Sequence, residues 1–123
     1  MIEKREFYIN GRWVSPVKPN DFNVIDPSTE DVCAVISLGD QADTDAAVAA
    51  AKAAFTTWSM TTPAERLALV ENILKVYLSR SEDMAVAISL EMGAPIDWSR
   101  DEQVTSGDWH ITNFITAFKE FKF

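Results

Sequence analysis

The side chains that could do chemistry in this 123-residue chain are few and lie far apart. Cys33, the single cysteine, lies in the apolar run 32–38 and has no cationic neighbour in sequence that would favour the thiolate. Free cysteines of this kind usually act as small buried hydrophobic residues, so we expect Cys33 to be buried and unreactive. His110 is the single histidine, which excludes two histidine ligands from one chain. We expect His110 to cap or pack on a helix beside Trp109.

Three carboxylates, Asp97, Asp101 and Glu102, lie at helical spacing and are of the type that binds a divalent cation. Arg100 lies among them, and mixed charges are typical of a solvated helix face, which is the interpretation that we favour. The four glycines are isolated, at positions 11, 39, 93 and 107, so the chain has no glycine-rich loop to bind a phosphate. The residues alone therefore indicate no self-contained active site.

Composition and charge exclude several classes of partner. The hydrophobic fraction of 47% and the charged fraction of 24% are those of an ordinary globular domain. The net charge of −8, with 11 scattered Lys and Arg residues, argues against nucleic acid and against an anionic membrane surface. No apolar stretch approaches the roughly 18 residues of a membrane span, and no signal-peptide core follows Met1. With one cysteine and no disulfide framework, the sequence predicts a cytoplasmic location.

The elements that must position these side chains fall into two groups. Residues 1–39 are predicted to form a strand arm: a hairpin turning at Asn10-Gly11, a strand over 22–25 and an apolar run over 32–38. From Asp40 the hydrophobic period changes from two to about 3.6, so residues 40–123 are predicted to be helical. The apolar stripes over 48–58 and 67–78 are predicted to be core.

Two helix boundaries have specific signals. The segment Thr62-Pro63-Ala64-Glu65 is a capping box with proline at the first helical position. In the segment 91–96, Gly93 is predicted to end one helix and Pro95 to lie in the first turn of the next. Glu91 then lies at the negative end of a helix dipole, at a cost of about 0.3–1 kcal/mol, so we expect a cation or a basic partner near it.

Five sequence segments extend over nearly the whole chain, at 8–14, 24–29, 45–58, 65–66 and 91–96. In this order and spacing, they resemble the N-terminal segment of the aldehyde dehydrogenase superfamily. The chain departs from the family pattern at Asp26, where asparagine is expected, and at Glu30, where glycine is common. Neither departure disturbs the match seriously. The alternating aromatic and charged residues at 118–123 are unlike a natural domain end, so we expect that a longer chain has been cut there.

The resemblance implies an α/β fold, of which this segment is the mostly helical part with an N-terminal β-hairpin and short strands. Residues 40–123 would then be the helical part of an incomplete nucleotide-binding domain. The parent enzyme would oxidise an aldehyde to a carboxylic acid with NAD or NADP, through a thiohemiacetal on a cysteine. It would be a homodimer or homotetramer.

The family's catalytic and main cofactor-binding residues have no counterpart in this chain, and Cys33 does not match the catalytic cysteine. The isolated chain is therefore predicted to be inactive, to bind the cofactor poorly and to self-associate. Two minor sites carry over from the resemblance. A monovalent cation, Na⁺ or K⁺, would be held by backbone oxygens of Val24 and Ile25 and by the carboxylate of Glu91. The helix around Glu102 and Ser106 would line the substrate entrance. The alternative is a non-enzymatic helical module that binds a partner or serves a structural role.

Overall fold

Five short strands precede the first helix in the computed structural model, which describes residues 1–123. They are β1 (Ile2–Lys4), β2 (Phe7–Ile9), β3 (Arg12–Val14), β4 (Asp21–Ile25) and β5 (Val32–Ser37). Strands β2 and β3 form the predicted hairpin, in which Asn10 and Gly11 both have positive φ, at 52° and 76°. This is the backbone of a type I′ turn, which matches the twist of the two strands.

The other three strands form a second sheet in the order β1–β5–β4. Strand β1 runs parallel to β5, and β4 runs antiparallel to it. The sequence analysis did not predict β1, because its partner on β5 lies more than thirty residues away (Ile2 pairs with Ala34) and a three-residue strand has little pattern of its own. The register of β4 and β5 shifts between Val24 and Ile25, so Cys33 is the extra residue of a β-bulge.

The turn between β4 and β5 places Glu30 in a strained backbone conformation. Two backbone bonds close the turn, from Asp26 N–H to the Asp31 carbonyl and from Glu30 N–H to the Asp26 carbonyl. Glu30 has a φ of 63°, in the left-handed region that glycine adopts without steric cost. The departure from the family pattern at this position is therefore accommodated with backbone strain, although the sequence analysis treated it as minor.

Helix α1 (Gln41–Trp58) begins at the predicted Asp40, which caps it reciprocally with Asp43. The Asp43 carboxylate also accepts a hydrogen bond at 2.9 Å from the backbone N–H of Val17, so it joins the loop after β3 to the start of α1. By their internal contacts, residues Met1–Met60 form one compact unit and Thr61–Phe123 form a second. Helix α1 thus groups with the strands by its contacts, and the division into domains at residue 40 stays a prediction.

The second unit is helical throughout. It contains α2 (Pro63–Ser79), α3 (Ser81–Met92), a short α4 (Ile96–Trp98), a π-helical turn (Ser99–Gln103) and α5 (Val104–Glu120). The capping box of Thr62 and Glu65 is confirmed, and so is the helix end at Gly93, whose φ is 72°. Pro95 lies one position before α4 as its N-cap residue, rather than inside the first turn as predicted. The turn at Ser99–Gln103, referred to as the π turn, was not predicted from the sequence.

Helices α2 and α5 pack together through a close contact at Gly107. The Tyr77 hydroxyl donates a hydrogen bond at 2.7 Å to the carbonyl oxygen of Val104. A Cβ atom at position 107 would lie 2.6 Å from Cζ of Tyr77, closer than real side chains approach. Further along the same pair of helices, Lys119 forms a salt bridge of 2.7 Å with Glu71. Glycine at 107 therefore lets Tyr77 reach the α5 backbone.

The prediction that both apolar stripes are core is wrong for this chain. On α1, Val48 is 52% exposed and Phe55 is 64% exposed, and on α2 Ile73 and Leu78 are about half exposed. The buried apolar side chains are few: Val35, Ala85, Val104 and Ile115. A helical period identifies which face is apolar, but the burial of that face depends on what packs against it.

No helix of this chain is both long enough and apolar enough to span a membrane.

Candidate functional site

Val24 and Ile25, the predicted backbone ligands of a cation, lie at the end of β4 in the first unit. They flank the β-bulge, where a regular ladder of backbone hydrogen bonds is interrupted. The carbonyl oxygen of Val24 accepts a hydrogen bond from the Cys33 thiol at 3.3 Å. Cys33 is half-buried rather than buried as expected, and its thiol is turned toward the backbone of β4.

Glu91, the predicted carboxylate ligand, lies in the last turn of α3 in the second unit and is exposed. The helix ends there as expected: Gly93 N–H bonds to the Ser89 carbonyl, and the Ser89 hydroxyl donates to the Ala94 carbonyl at 2.7 Å. No basic side chain forms an ion pair with Glu91, so the basic partner that we considered is not present in this chain. The three-residue cation site of Val24, Ile25 and Glu91 stays a prediction.

The charged face that begins at Asp97 is organised around Arg100. Its guanidinium donates two hydrogen bonds to Glu82 on α3, at 2.6 and 2.9 Å, and one to Asp97 at 3.3 Å. The bonds to Glu82 raise the pKa of Arg100 above its ordinary value, and the same bonds lower the pKa of the Glu82 carboxyl. No group of three His, Cys, Asp or Glu side chains is arranged to hold a metal ion. Arg100 thus joins Glu82 and Asp97 in an exposed ion-pair network, whereas the mixed charges had indicated only a solvated face.

The two predicted substrate-entrance residues lie on either side of the junction between the π turn and α5. Glu102 belongs to the π turn and Ser106 to the first turn of α5, four residues later, and both are exposed. Residues four apart share one face of a helix, so the structure brings these two to the same face. His110 is exposed further along α5 and contacts the Trp109 ring edge-on, with ring centroids 4.9 Å apart.

Sequence analysis missed the residues that shape this junction. Ser99 is fully buried and Val104 is 3% exposed, although they are five positions apart. In a regular α-helix such residues point about 140° away from each other. The sequence carries one signal of this turn. Ile96 and Ser99 are followed by the next apolar position, Val104, five residues after Ser99, which is one residue more than a regular helical face allows.

The comparisons with known proteins decide the family. The model of the aldehyde dehydrogenase family matches residues 13–121. This chain is an aldehyde dehydrogenase family member. Among its curated relatives is a 3-succinoylsemialdehyde-pyridine dehydrogenase of a Pseudomonas species. The two are 37% identical, over 100% of this chain and 26% of that protein.

Solved aldehyde dehydrogenases have the same fold over this section. The enzyme of Bartonella henselae superposes with a TM-score of 0.98 at 58% identity, over 100% of this chain and 26% of that one. The enzyme of Pseudomonas syringae that was solved with NAD⁺ and octanal gives 0.93 at 40% identity, over 97% and 24%. The chain thus spans about a quarter of the length of the aldehyde dehydrogenases that it matches, and its fold class is α/β, of which this section is mostly helical.

The glycines of this aldehyde dehydrogenase section are not arranged to hold a dinucleotide. Gly11 forms the hairpin turn and Gly93 ends α3, both with positive φ. Gly39 lies against the ring of Phe7, and Gly107 against Tyr77. Because each glycine has a separate local role, none contributes to a loop that could cradle phosphates. These four glycines therefore form no phosphate-binding loop within this chain.

Proposed function

We propose that this chain forms one section of an NAD(P)-dependent aldehyde dehydrogenase that oxidises an aldehyde to a carboxylic acid through a cysteine thiohemiacetal. The observation that carries the proposal is the superposition on the Bartonella henselae enzyme, with a TM-score of 0.98 over the whole chain and about a quarter of that enzyme. The structures of relatives solved with NAD⁺ support the choice of cofactor class. The whole enzyme is a homodimer or homotetramer in this proposal.

Within that enzyme the chain has a structural and positioning role. It holds no nucleophile in an activating environment: Cys33 donates its thiol proton to a backbone carbonyl, and no cationic group pairs with it. It also has no loop that fits the dinucleotide, so we assign no step of the oxidation to its residues. Its contribution is the hairpin, the small sheet and the helical unit, together with the exposed face formed by Glu102 of the π turn and Ser106 of α5.

The test compares the 123-residue chain with an enzyme that contains it. Each purified protein is mixed with an aldehyde and NAD⁺ or NADP⁺, and formation of the reduced nicotinamide is followed by absorbance. We expect cofactor-dependent oxidation by the enzyme and none by the chain alone. Turnover by the isolated chain, abolished when Cys33 is replaced by serine, would show that the proposal assigns the chemistry to the wrong part of the protein.

The exposed apolar side chains leave one alternative, a non-enzymatic module that presents its helices to a partner. Phe55 and Trp58 on α1 and Ile73 and Val76 on α2 are between 43% and 64% exposed. An independent module should be monodisperse and unfold cooperatively, whereas a section of a larger enzyme should self-associate through such surfaces. Light scattering and a thermal melt of the chain distinguish the two, and a monodisperse, cooperatively folded chain would favour the module.

A further inference from the structure

The π turn at Ser99–Gln103 is an extra-wide helical turn that interrupts the run from α4 to α5. It is marked by the backbone N–H of Val104, which bonds to the carbonyl of Ser99 five residues earlier instead of four. Single turns of this kind are rare and are frequently found at functional sites. The extra residue brings Ser99 and Val104 to the same buried side, although five positions separate them.

Both ends of the π turn are anchored to other helices. At its start, Ser99 is fully buried, with a hydroxyl that has no hydrogen-bond partner, and the next residue, Arg100, binds Glu82 of α3 with two short bonds. On the side after it, the carbonyl of Val104 accepts the hydroxyl of Tyr77 on α2. The turn is therefore held between α2 and α3, and it cannot unwind without breaking these contacts.

The wide turn also alters its own backbone bonding. The carbonyls of Asp101 and Glu102 lie 2.9 and 3.0 Å from the hydroxyl oxygen of Thr105, which has one proton to donate and serves either acceptor. A side chain thus supplements the backbone bonding in this turn. Glu102, one of the exposed residues of the turn, lies four positions before Ser106, which is also exposed.

We propose that Arg100 and Glu82 are positioning residues, which fix the π turn and so determine where the exposed face formed by Glu102 of the turn and Ser106 of α5 is presented to an aldehyde. This inference rests on the proposed function. A bidentate arginine–carboxylate pair has a fixed geometry, unlike a lysine–carboxylate pair, so it sets the direction of the turn as well as its distance from α3. The chemistry at the reacting carbon belongs to other residues, and the pair acts on the choice of aldehyde.

The experiment uses the purified enzyme that contains this chain and the variant Arg100→Lys, which keeps the positive charge but cannot form the bidentate contact of a guanidinium group. Its matched control is Arg80→Lys, because Arg80 makes one exposed bond of 3.3 Å with Asp83 at the start of the same helix. Amide hydrogen exchange is measured by mass spectrometry over residues 99–108. We expect Arg100→Lys to accelerate exchange in the π turn by about tenfold, with no change in the control.

Steady-state kinetics with propanal and octanal test the effect on substrate choice. We expect the ratio of kcat/KM for the two aldehydes to change by about tenfold in Arg100→Lys, with an unchanged KM for the nicotinamide cofactor. The reversed pair, Glu82→Arg with Arg100→Glu, restores a bidentate contact and is expected to return the ratio toward the original value. A purely structural role would lower both kcat/KM values together and leave their ratio unchanged.

The outcomes separate this inference from the proposed function. An unchanged ratio in Arg100→Lys overturns the positioning role, whether or not exchange in the π turn increases. If Arg100→Lys does not fold, Glu82→Gln decides, because it removes the charge of the partner carboxylate: an unchanged ratio in that folded variant overturns the role, and a shifted ratio supports it. An original enzyme that oxidises neither aldehyde refutes the proposed function and the entrance role with it, while unchanged exchange in an active enzyme refutes only the inference.

Discussion

Replacement of Gly107 by alanine tests the contact between α2 and α5. We expect it to lower the stability of the chain, whereas helix propensity alone predicts a gain in stability. In the interior of a helix, alanine is favoured over glycine by about 1 kcal/mol. The added Cβ would lie 2.6 Å from Cζ and 3.2 Å from Cε2 of Tyr77, so the ring must move by roughly 1 Å to reach ordinary contact distance. That movement breaks the 2.7 Å bond from the Tyr77 hydroxyl to the Val104 carbonyl.

The opposing contributions decide the sign. Overpacking of this kind costs about 1–3 kcal/mol, and the lost hydrogen bond costs about 1 kcal/mol. After the gain in helix propensity of about 1 kcal/mol, the net destabilisation is about 1–3 kcal/mol. If Tyr77 is first replaced by leucine, the obstruction is gone, and Gly107→Ala should then stabilise by about 1 kcal/mol.

The assay is denaturant unfolding of the four proteins in this double-mutant cycle, followed by helical circular dichroism and by hydrogen exchange over α5. The exchange data confine the readout to the second unit, since the chain has two compact units and a single global transition is not guaranteed. Ser106→Ala, an exposed change on the same helix, serves as the control for propensity. Stabilisation by Gly107→Ala in the presence of Tyr77 would refute the reasoning.

Three further changes are expected to have measurable effects. Glu30→Gly should stabilise the first unit by about 0.5–1 kcal/mol in denaturant unfolding, because relief of a left-handed residue exceeds the added unfolded-state entropy; destabilisation would contradict the strain. Backbone N–H groups, first that of Asp40 and then that of Val17, lower the pKa of Asp43. Its contribution to stability is therefore present above about pH 4, is lost as the pH falls through its lowered pKa, and should be missing at all pH values in Asp43→Asn; parallel pH profiles of unfolding for the two proteins would count against it. Ser99→Ala should be neutral or stabilise by up to about 1 kcal/mol, because the buried hydroxyl has no partner; a clear loss in a thermal melt would mean that the hydroxyl is bonded.

Features written into a few adjacent residues could be predicted from the sequence. Asn10-Gly11 defines the hairpin turn by its tolerance of positive φ, and Thr62 with Glu65 defines a helix start by two reciprocal hydrogen bonds. Gly93 ends α3 for the same local reason. Each signal depends on backbone chemistry within four residues, so the rest of the fold cannot override it easily.

Features that depend on distant partners could not be predicted in the same way. The pairing of β1 with β5 joins residues more than thirty positions apart, and a three-residue strand has no local pattern that indicates this pairing. The π turn is held by contacts with α2 and α3, through Tyr77 and Glu82, which are distant from it in sequence. The predicted cation ligands came from family resemblance, and they fall in separate compact units of the chain.

The bulge at Cys33 gives this protein a built-in reporter. Since the chain has a single thiol, any thiol-specific reagent labels one defined position. That thiol is half-buried and bonded to the Val24 carbonyl, so its rate of alkylation measures how often the end of β4 separates from β5. Labelling kinetics can therefore follow the opening of the small sheet while the helices of the second unit contribute nothing to the signal.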